Sequence, residues 1–195
     1  MHSVRIESWA EGAKVNTSPR FGGTFDPATG TFRWEVNCDE TIADKVRRVY
    51  RKSVSGMSEY QIDKIDEQFP DTRKGKHVIT GTIFLPDLQH MEWEEVEEGC
   101  GVGIPARPKD LLDFGMSFPR PMPGSEMSLV AFGQADGDVY GNRCYTALMP
   151  NGRGRQFQKC WIHPRLGRWH HGHHGLGFLL LEKLPPEWRR RVGKW

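Results

Sequence analysis

The chain has 195 residues, a net charge of +2 and 37% hydrophobic residues. That length suffices for one sizeable hydrophobic core, so we predict a single domain over residues 1–195. Its seven Trp, ten Phe and four Tyr residues exclude a disordered chain. No apolar run approaches the ~18 residues of a bilayer-spanning helix, so a membrane-spanning class is excluded as well.

The amino-terminal residues and the cysteines bear on the compartment. The first nine residues contain no apolar stretch of the kind that forms a secretory signal. The four cysteines, Cys38, Cys100, Cys144 and Cys160, are too few for a disulfide framework in a chain of this length. We therefore expect reduced thiols and a cytoplasmic or virion location.

The first forty residues predict a β-hairpin. Thr31–Val36 alternates polar and apolar residues, which is the period of a strand with one buried face. Asp26 and Pro27 favour the start of a turn, and Gly30 favours its end. We expect a strand on each side of this turn.

A first short helix is predicted after the hairpin, because apolar residues recur at the spacing of one helix face. The stripe is formed by Ile42, Val46, Val49 and Tyr50.

The second helix has clearer end signals. Ser58 and Gln61 have the spacing of a capping box, and Met57 and Ile62 have that of a hydrophobic staple. Pro70 is expected to end the helix. Acidic residues outnumber basic ones along it, which argues against a DNA-recognition helix.

The middle of the chain predicts one central strand and one long irregular segment. His77–Leu85 is β-branched and apolar on both faces, so we expect it in the interior of a sheet. Residues 97–124 contain five prolines and several glycines. We predict a long loop or arm there, which either packs on its own domain or crosses to a neighbouring subunit.

The remainder of the chain is β-rich. Strands are predicted at Met127–Phe132, Val139–Met149, Gln156–Ile162 and Gly177–Leu181. The second and third form a hairpin around Pro150-Asn151-Gly152. The predicted fold is a β-rich α+β domain, an antiparallel sandwich or barrel of about seven to nine strands with two short inserted helices.

Charge is distributed unevenly along the sequence. The basic carboxy-terminal segment, residues 143–195, holds eleven basic and two acidic residues, a local charge of +9, which leaves −7 for residues 1–142. Such a segment could neutralise phosphates, or it could dock on the acidic surface of a neighbouring copy. Alternatively, the charges interleave once the chain folds.

Arginine and tryptophan are interleaved in this segment, a composition that suits either single-stranded nucleic acid or a subunit interface. Arg153 and Arg155 flank a glycine at a hairpin tip, where they could clamp a phosphate or simply be solvated. The candidate residues for binding nucleic acid or a partner are Arg153, Arg155, Arg165, Arg168, Trp169, Arg189, Arg190, Arg191 and Trp195.

A cluster of cysteine and histidine in the same segment is a candidate zinc site. Thiolate and imidazole are the ligands that zinc prefers, and the hairpin is expected to set Cys144 close to Cys160. The candidate ligands are Cys144, Cys160, His163, His171 and His173. The alternative is a surface loop rich in Gly and His beside two buried cysteines that act as small hydrophobic residues.

The sequence contains no nucleophile elbow, Walker loop or dinucleotide fingerprint, so no catalytic residue is assigned. The first functional hypothesis is a non-enzymatic assembly protein, a subunit of a larger symmetric complex such as a phage or viral decoration, connector or tail protein. The second is a nucleic-acid-binding accessory protein that uses the basic carboxy-terminal segment. The third is a metal-dependent hydrolase built on the Cys/His cluster.

Overall fold

The computed structural model describes residues 23–49, 57–85, 103–119, 127–137, 143–151, 154–162 and 176–184. Eight strands and three helices lie within these ranges. The strands are β1 (Thr24–Asp26), β2 (Thr31–Asn37), β3 (Lys76–Phe84), β4 (Ile104–Pro105), β5 (Ser128–Gly137), β6 (Arg143–Asn151), β7 (Gly154–Ile162) and β8 (Leu176–Leu181). The helices are α1 (Ile42–Val49), α2 (Glu59–Gln68) and α3 (Pro108–Ser117).

All eight strands belong to a single mixed sheet. Its order is β1-β2-β3-β8-β5-β6-β7, and the short β4 pairs with β8. Every pairing is antiparallel except that of β5 with β8. The strand-rich α+β class is confirmed, but the antiparallel sandwich or barrel is wrong. The described strands form one sheet that does not close into a barrel, and one of its pairings is parallel.

The sheet changes partners where β5 leaves β8. β5 pairs with β8 as far as Val130. Beyond that point Gly133 N donates to the carbonyl oxygen of Ala106, the residue that follows β4, at 2.8 Å. A Cβ on Gly133 would lie 2.2 Å from the Pro105 carbonyl oxygen. Only glycine therefore allows this close approach. The register between β5 and β6 shifts between Ala131 and Asp136, as at a β-bulge.

Alternate residues of the strands feed two apolar clusters, one on each face of the sheet. On β8, Leu179 and Leu181 belong to the first cluster, whereas Phe178 and Leu180 belong to the second. All three described helices pack on the first face, where Trp34 is fully buried. The second face is apolar and buried mainly across β8, β5 and β6, whereas along β2 and the first half of β3 it is largely exposed.

The predicted beginning of α2 is confirmed in detail. Ser58 N donates to Gln61 Oε1 at 2.8 Å, and Gln61 N donates to Ser58 Oγ at 3.3 Å. Met57 and Ile62 are both buried, as the staple requires. The helix ends at Gln68, two residues before Pro70.

α1 receives its amino-terminal cap from another helix. The backbone N–H groups of Ile42 and Ala43 donate to the two carboxylate oxygens of Asp66, on α2, at 2.8 and 3.1 Å. Free N–H groups at a helix start need acceptors. The carboxylate of Asp66 therefore couples the beginning of α1 to the last turn of α2.

The prediction of an irregular segment over residues 97–124 is wrong in its centre, which forms α3. Pro108 occupies the first helical position, and Arg107 N donates to Asp110 Oδ2 at 2.9 Å. Nine of the ten residues of α3 are buried. Pro105 precedes α3, Pro108 is its first residue and Pro119 follows it, so no proline lies in the interior of the helix.

The central position predicted for His77–Leu85 is confirmed, since β3 lies between β2 and β8. Its second face is not buried, however, because Val78 is 56% exposed. None of the described helices is both long enough and apolar enough to span a membrane.

Candidate functional site

Seven charged side chains gather on the first face of the sheet, where α3 meets α1 and the segment before β3. We call them the buried charge cluster: Lys45, Asp71, Arg73, Arg107, Lys109, Asp110 and Asp113. Six of these side chains are at most 5% exposed, and Arg107, at 19%, lies at the rim. Buried charges are costly unless they are paired.

Arg73 is the centre of this cluster. Its guanidinium donates to Asp71 Oδ2 at 2.7 Å and to Asp110 Oδ2 at 3.0 Å. Burial would raise the pKa of Asp71, but the hydrogen bonds and charge of Arg73 hold it below its usual value. Burial and the nearby charge of Arg73 lower the pKa of Arg107. The Arg73 guanidinium is therefore held between the side chains of Asp71 and Asp110.

A second pair lies deeper in the cluster. Lys45 Nζ donates to Asp113 Oδ2, which also accepts Asn37 N at 2.8 Å. Burial raises the pKa of Asp113 to about 6, although Lys45 opposes that rise. Asp113 thus has a pKa closer to neutral pH than an ordinary aspartate.

The cluster fastens several segments to one another. Lys109 Nζ donates to Cys38 O at 2.7 Å, and Trp34 Nε1 donates to Asp110 O at 3.2 Å. Burial raises the pKa of the Cys38 thiol to about 12, so it is protonated and a poor nucleophile at neutral pH. These contacts join α3 to β2, to the residue that follows β2 and to the segment before β3.

Sequence reasoning missed this cluster. The available signal was the placement of Lys109, Asp110 and Asp113 within a stretch that also contains Leu111 and Phe114. Charged residues on the apolar side of a helix need partners, and a Pro-rich context concealed the helix.

Among the predicted partner-binding residues, Arg155 is within the described ranges. It lies on β7, on the same face as Phe157, and is 6% exposed. Arg155 therefore adds little to an exposed positive surface. The other candidates, Arg153, Arg165, Arg168, Trp169, Arg189, Arg190, Arg191 and Trp195, lie outside the described residues.

The two cysteines of the predicted zinc site do not face each other. Cys144 pairs with Trp161 and Cys160 with Tyr145, one position away from the expected register. A shift of one residue sends a side chain to the opposite face. Cys144 accordingly belongs to the first apolar cluster and Cys160 to the second. The expected register, with Cys144 opposite Cys160, is therefore wrong, because the strands pair with Asn151 opposite Gly154.

The remaining predicted zinc ligands, His163, His171 and His173, lie outside the described residues. Within the described ranges, no three His, Cys, Asp or Glu residues are arranged to hold a metal ion. Burial raises the pKa of Cys144 to about 11 and raises that of Cys160 further still. Both thiols are therefore protonated in the folded protein.

The solvent-facing cations of α1 and α2 are paired with carboxylates of the same chain. Arg47 contacts Glu59 and Asp63 across the two helices. Arg48 NH2 lies 2.7 Å from Glu40 Oε2, and Lys64 Nζ lies 2.9 Å from Glu67 Oε2. The charges of the two exposed arginines of α1, Arg47 and Arg48, are thus partly neutralised.

No family model, curated protein or solved structure matches this chain.

Proposed function

We propose that the protein is a non-enzymatic assembly protein, a subunit of a larger symmetric complex. Its basic carboxy-terminal segment would dock on an acidic surface of a neighbouring copy, giving a head-to-tail contact. A virion component, such as a decoration, connector or tail protein, is the setting we propose. The observation that carries this proposal is the division of charge, +9 over residues 143–195 against −7 over the rest.

The ion pairs of the described residues support this assignment. Arg47, Arg48 and Lys64 already contact carboxylates of their own chain. The cations of the buried charge cluster are enclosed among carboxylates and carbonyls. We infer that the positive charge available to a partner lies mainly in the basic carboxy-terminal segment.

Part of that segment is already used internally. Arg155 is buried, and Lys159 Nζ donates to Gln68 Oε1 at 2.6 Å and lies 3.8 Å from Asp136 Oδ2. We therefore assign binding of the neighbouring copy's acidic surface to the arginines that follow β7 in the sequence, above all Arg189, Arg190 and Arg191.

Binding of nucleic acid is the second candidate function, favoured by the interleaving of tryptophan with arginine in the same segment. Its partner would be an extended single strand. The metal-dependent hydrolase hypothesis relied in part on Cys144 and Cys160 as neighbouring ligands, and these side chains lie on opposite faces of the sheet.

The test is the mass of the full chain in solution, measured by light scattering with absorbance at nucleic-acid and protein wavelengths. We expect oligomers free of nucleic acid. Arg189→Gln, Arg190→Gln and Arg191→Gln together should weaken self-association about tenfold or more, because each removes an attraction across the contact.

The matched control removes the same charge from the helical surface, with Arg47→Gln, Arg48→Gln and Lys64→Gln. It should leave self-association largely unchanged. A monomeric wild type, or equal weakening by the two triple variants, would contradict the proposal. Retention on immobilised single-stranded DNA with a steep salt dependence would favour the second candidate instead.

A further inference from the structure

The second face of the sheet is exposed along β2 and β3 and carries an unusual set of side chains. Arg33 and Glu35 of β2 point outward and are exposed, as does Lys76 of β3. Val78, 56% exposed, lies directly opposite Glu35, and Thr80 lies opposite Arg33. We call Arg33, Glu35, Lys76, Val78 and Thr80 the outer β2–β3 face.

The charges on this face differ from those on the helices. Arg47, Arg48 and Lys64 are all paired within the chain. By contrast, Arg33 and Glu35 take part in no ion pair among the described residues, although they are neighbours on one strand. Charges of both signs are therefore available to a partner around an exposed valine.

We propose that the outer β2–β3 face packs against the same face of a second copy of this chain. This inference rests on the proposed function, since it needs a chain that assembles with itself. An isologous contact must be self-complementary. A two-fold axis in the plane between the sheets, midway between Arg33 and Glu35, sets each Arg33 against the partner's Glu35. The same axis sets Val78 against the partner's Thr80, so the apolar surface is covered as well.

The size of the face indicates how the contact is used. Two strands ~4.8 Å apart and about seven residues long, at ~3.4 Å each, cover roughly 230 Å². A stable interface needs about 800 Å² from each partner. The sheet contact is therefore weak alone and works together with the head-to-tail contact of the basic carboxy-terminal segment. One isologous and one heterologous contact are enough to build a higher assembly.

The test is charge exchange in the full chain, followed by sedimentation. In Arg33→Glu both positions are acidic, so carboxylates of one copy face carboxylates of the other. In Glu35→Arg both positions are basic, so guanidinium groups face guanidinium groups. Each variant should self-associate about tenfold more weakly than wild type. A mixture of the two variants should recover association, because each presents the charges that the other needs. The double variant carrying both changes should recover it in a single chain.

Val78→Lys tests the apolar part and should also weaken association. Its matched control is Tyr60→Lys, which alters the other large hydrophobic residue that is exposed within the described part of the chain, 73% exposed on α2. If wild type assembles but the Arg33, Glu35 and Val78 variants assemble equally well, this inference is overturned and the proposed function stands. A wild type that remains monomeric overturns both.

Discussion

At the scale of single residues, the pair of Lys45 and Asp113 shows how burial and an opposite charge act together on the pKa of a carboxyl group. The carboxylate is held by Lys45 and by Asn37 N, yet its pKa is still raised to about 6. Burial thus outweighs the attraction of the ammonium group. Neutralising one partner should be far more harmful than replacing the pair.

We predict that Lys45→Met lowers the free energy of unfolding by about 3–5 kcal/mol at neutral pH, because it leaves a buried carboxylate without its counter-charge. Losing Lys45 raises the pKa of Asp113 further, so the folded state holds a proton that the unfolded state has released. Stability then falls as pH rises from the unfolded pKa of Asp113, near 3.8, to beyond its folded value of about 6. Urea denaturation at several pH values measures this.

The control for that experiment is Arg48→Met, which removes a surface pair with Glu40 and should cost less than ~1 kcal/mol. Lys45→Met with Asp113→Leu should restore most of the loss, since two apolar side chains replace the ion pair. A Lys45→Met variant as stable as Arg48→Met at every pH would contradict the account of the buried pair.

A second residue-scale prediction concerns Gly133 of β5, which lies against the backbone of Pro105 and Ala106. Gly133→Ala would force a Cβ to 2.2 Å from the Pro105 carbonyl oxygen, so β4 or β5 must shift. We expect a loss of about 1–3 kcal/mol in thermal or urea unfolding. Gly137→Ala, at the end of the same strand, meets no atom within 4 Å and should be nearly neutral. Equal effects would show that the close approach is not required.

At the scale of elements, α1 and α2 are joined by the capping carboxylate of Asp66. We predict that Asp66→Ala costs about 1–2 kcal/mol, because Ile42 N and Ala43 N lose their acceptors. Asp63→Ala, an exposed change on the same helix, should cost less than ~1 kcal/mol. Amide exchange at Ile42 and Ala43 should accelerate only in Asp66→Ala. Unchanged exchange there would contradict the tertiary cap.

The same scale shows which elements the sequence can predict. The hairpin at Asp26–Gly30 and the start of α2 at Ser58 depend on neighbours within a few residues, so local pattern sufficed. The parallel pairing of β5 with β8 joins Ser128 to Leu176, and no local signal encodes such a contact. α3 was missed because its charged residues find their partners near Lys45 and Arg73, far away in sequence.

The candidate sites follow the same rule. Composition is enough to predict a basic carboxy-terminal segment. The local sequence does not fix the β6–β7 register, and the predicted register differs from the observed one by one residue. This difference of one residue places the side chains of Cys144 and Cys160 on opposite faces of the sheet. The outer β2–β3 face was missed because Val78 resembles a core residue until the strands around it are placed.

At the scale of the whole molecule, buried thiols report on the integrity of both apolar clusters. Cys38 and Cys144 lie in the first cluster and Cys160 in the second, each at most 2% exposed. Burial raises the pKa of all three thiols, which removes the reactive thiolate. Their modification therefore requires the sheet to open.

We predict that in a Cys100→Ser background the native protein reacts with a thiol reagent only as fast as it unfolds, and that all three thiols react together in denaturant. Cys144 and Cys160 should form no disulfide with each other under mild oxidation, because their side chains lie on opposite faces of the sheet. Thiol titration and mass spectrometry of the oxidised protein measure both. Fast labelling of Cys160 alone would mean that the second apolar cluster opens independently of the first. A Cys144–Cys160 disulfide formed in the native state would require the β6–β7 register to shift by one residue.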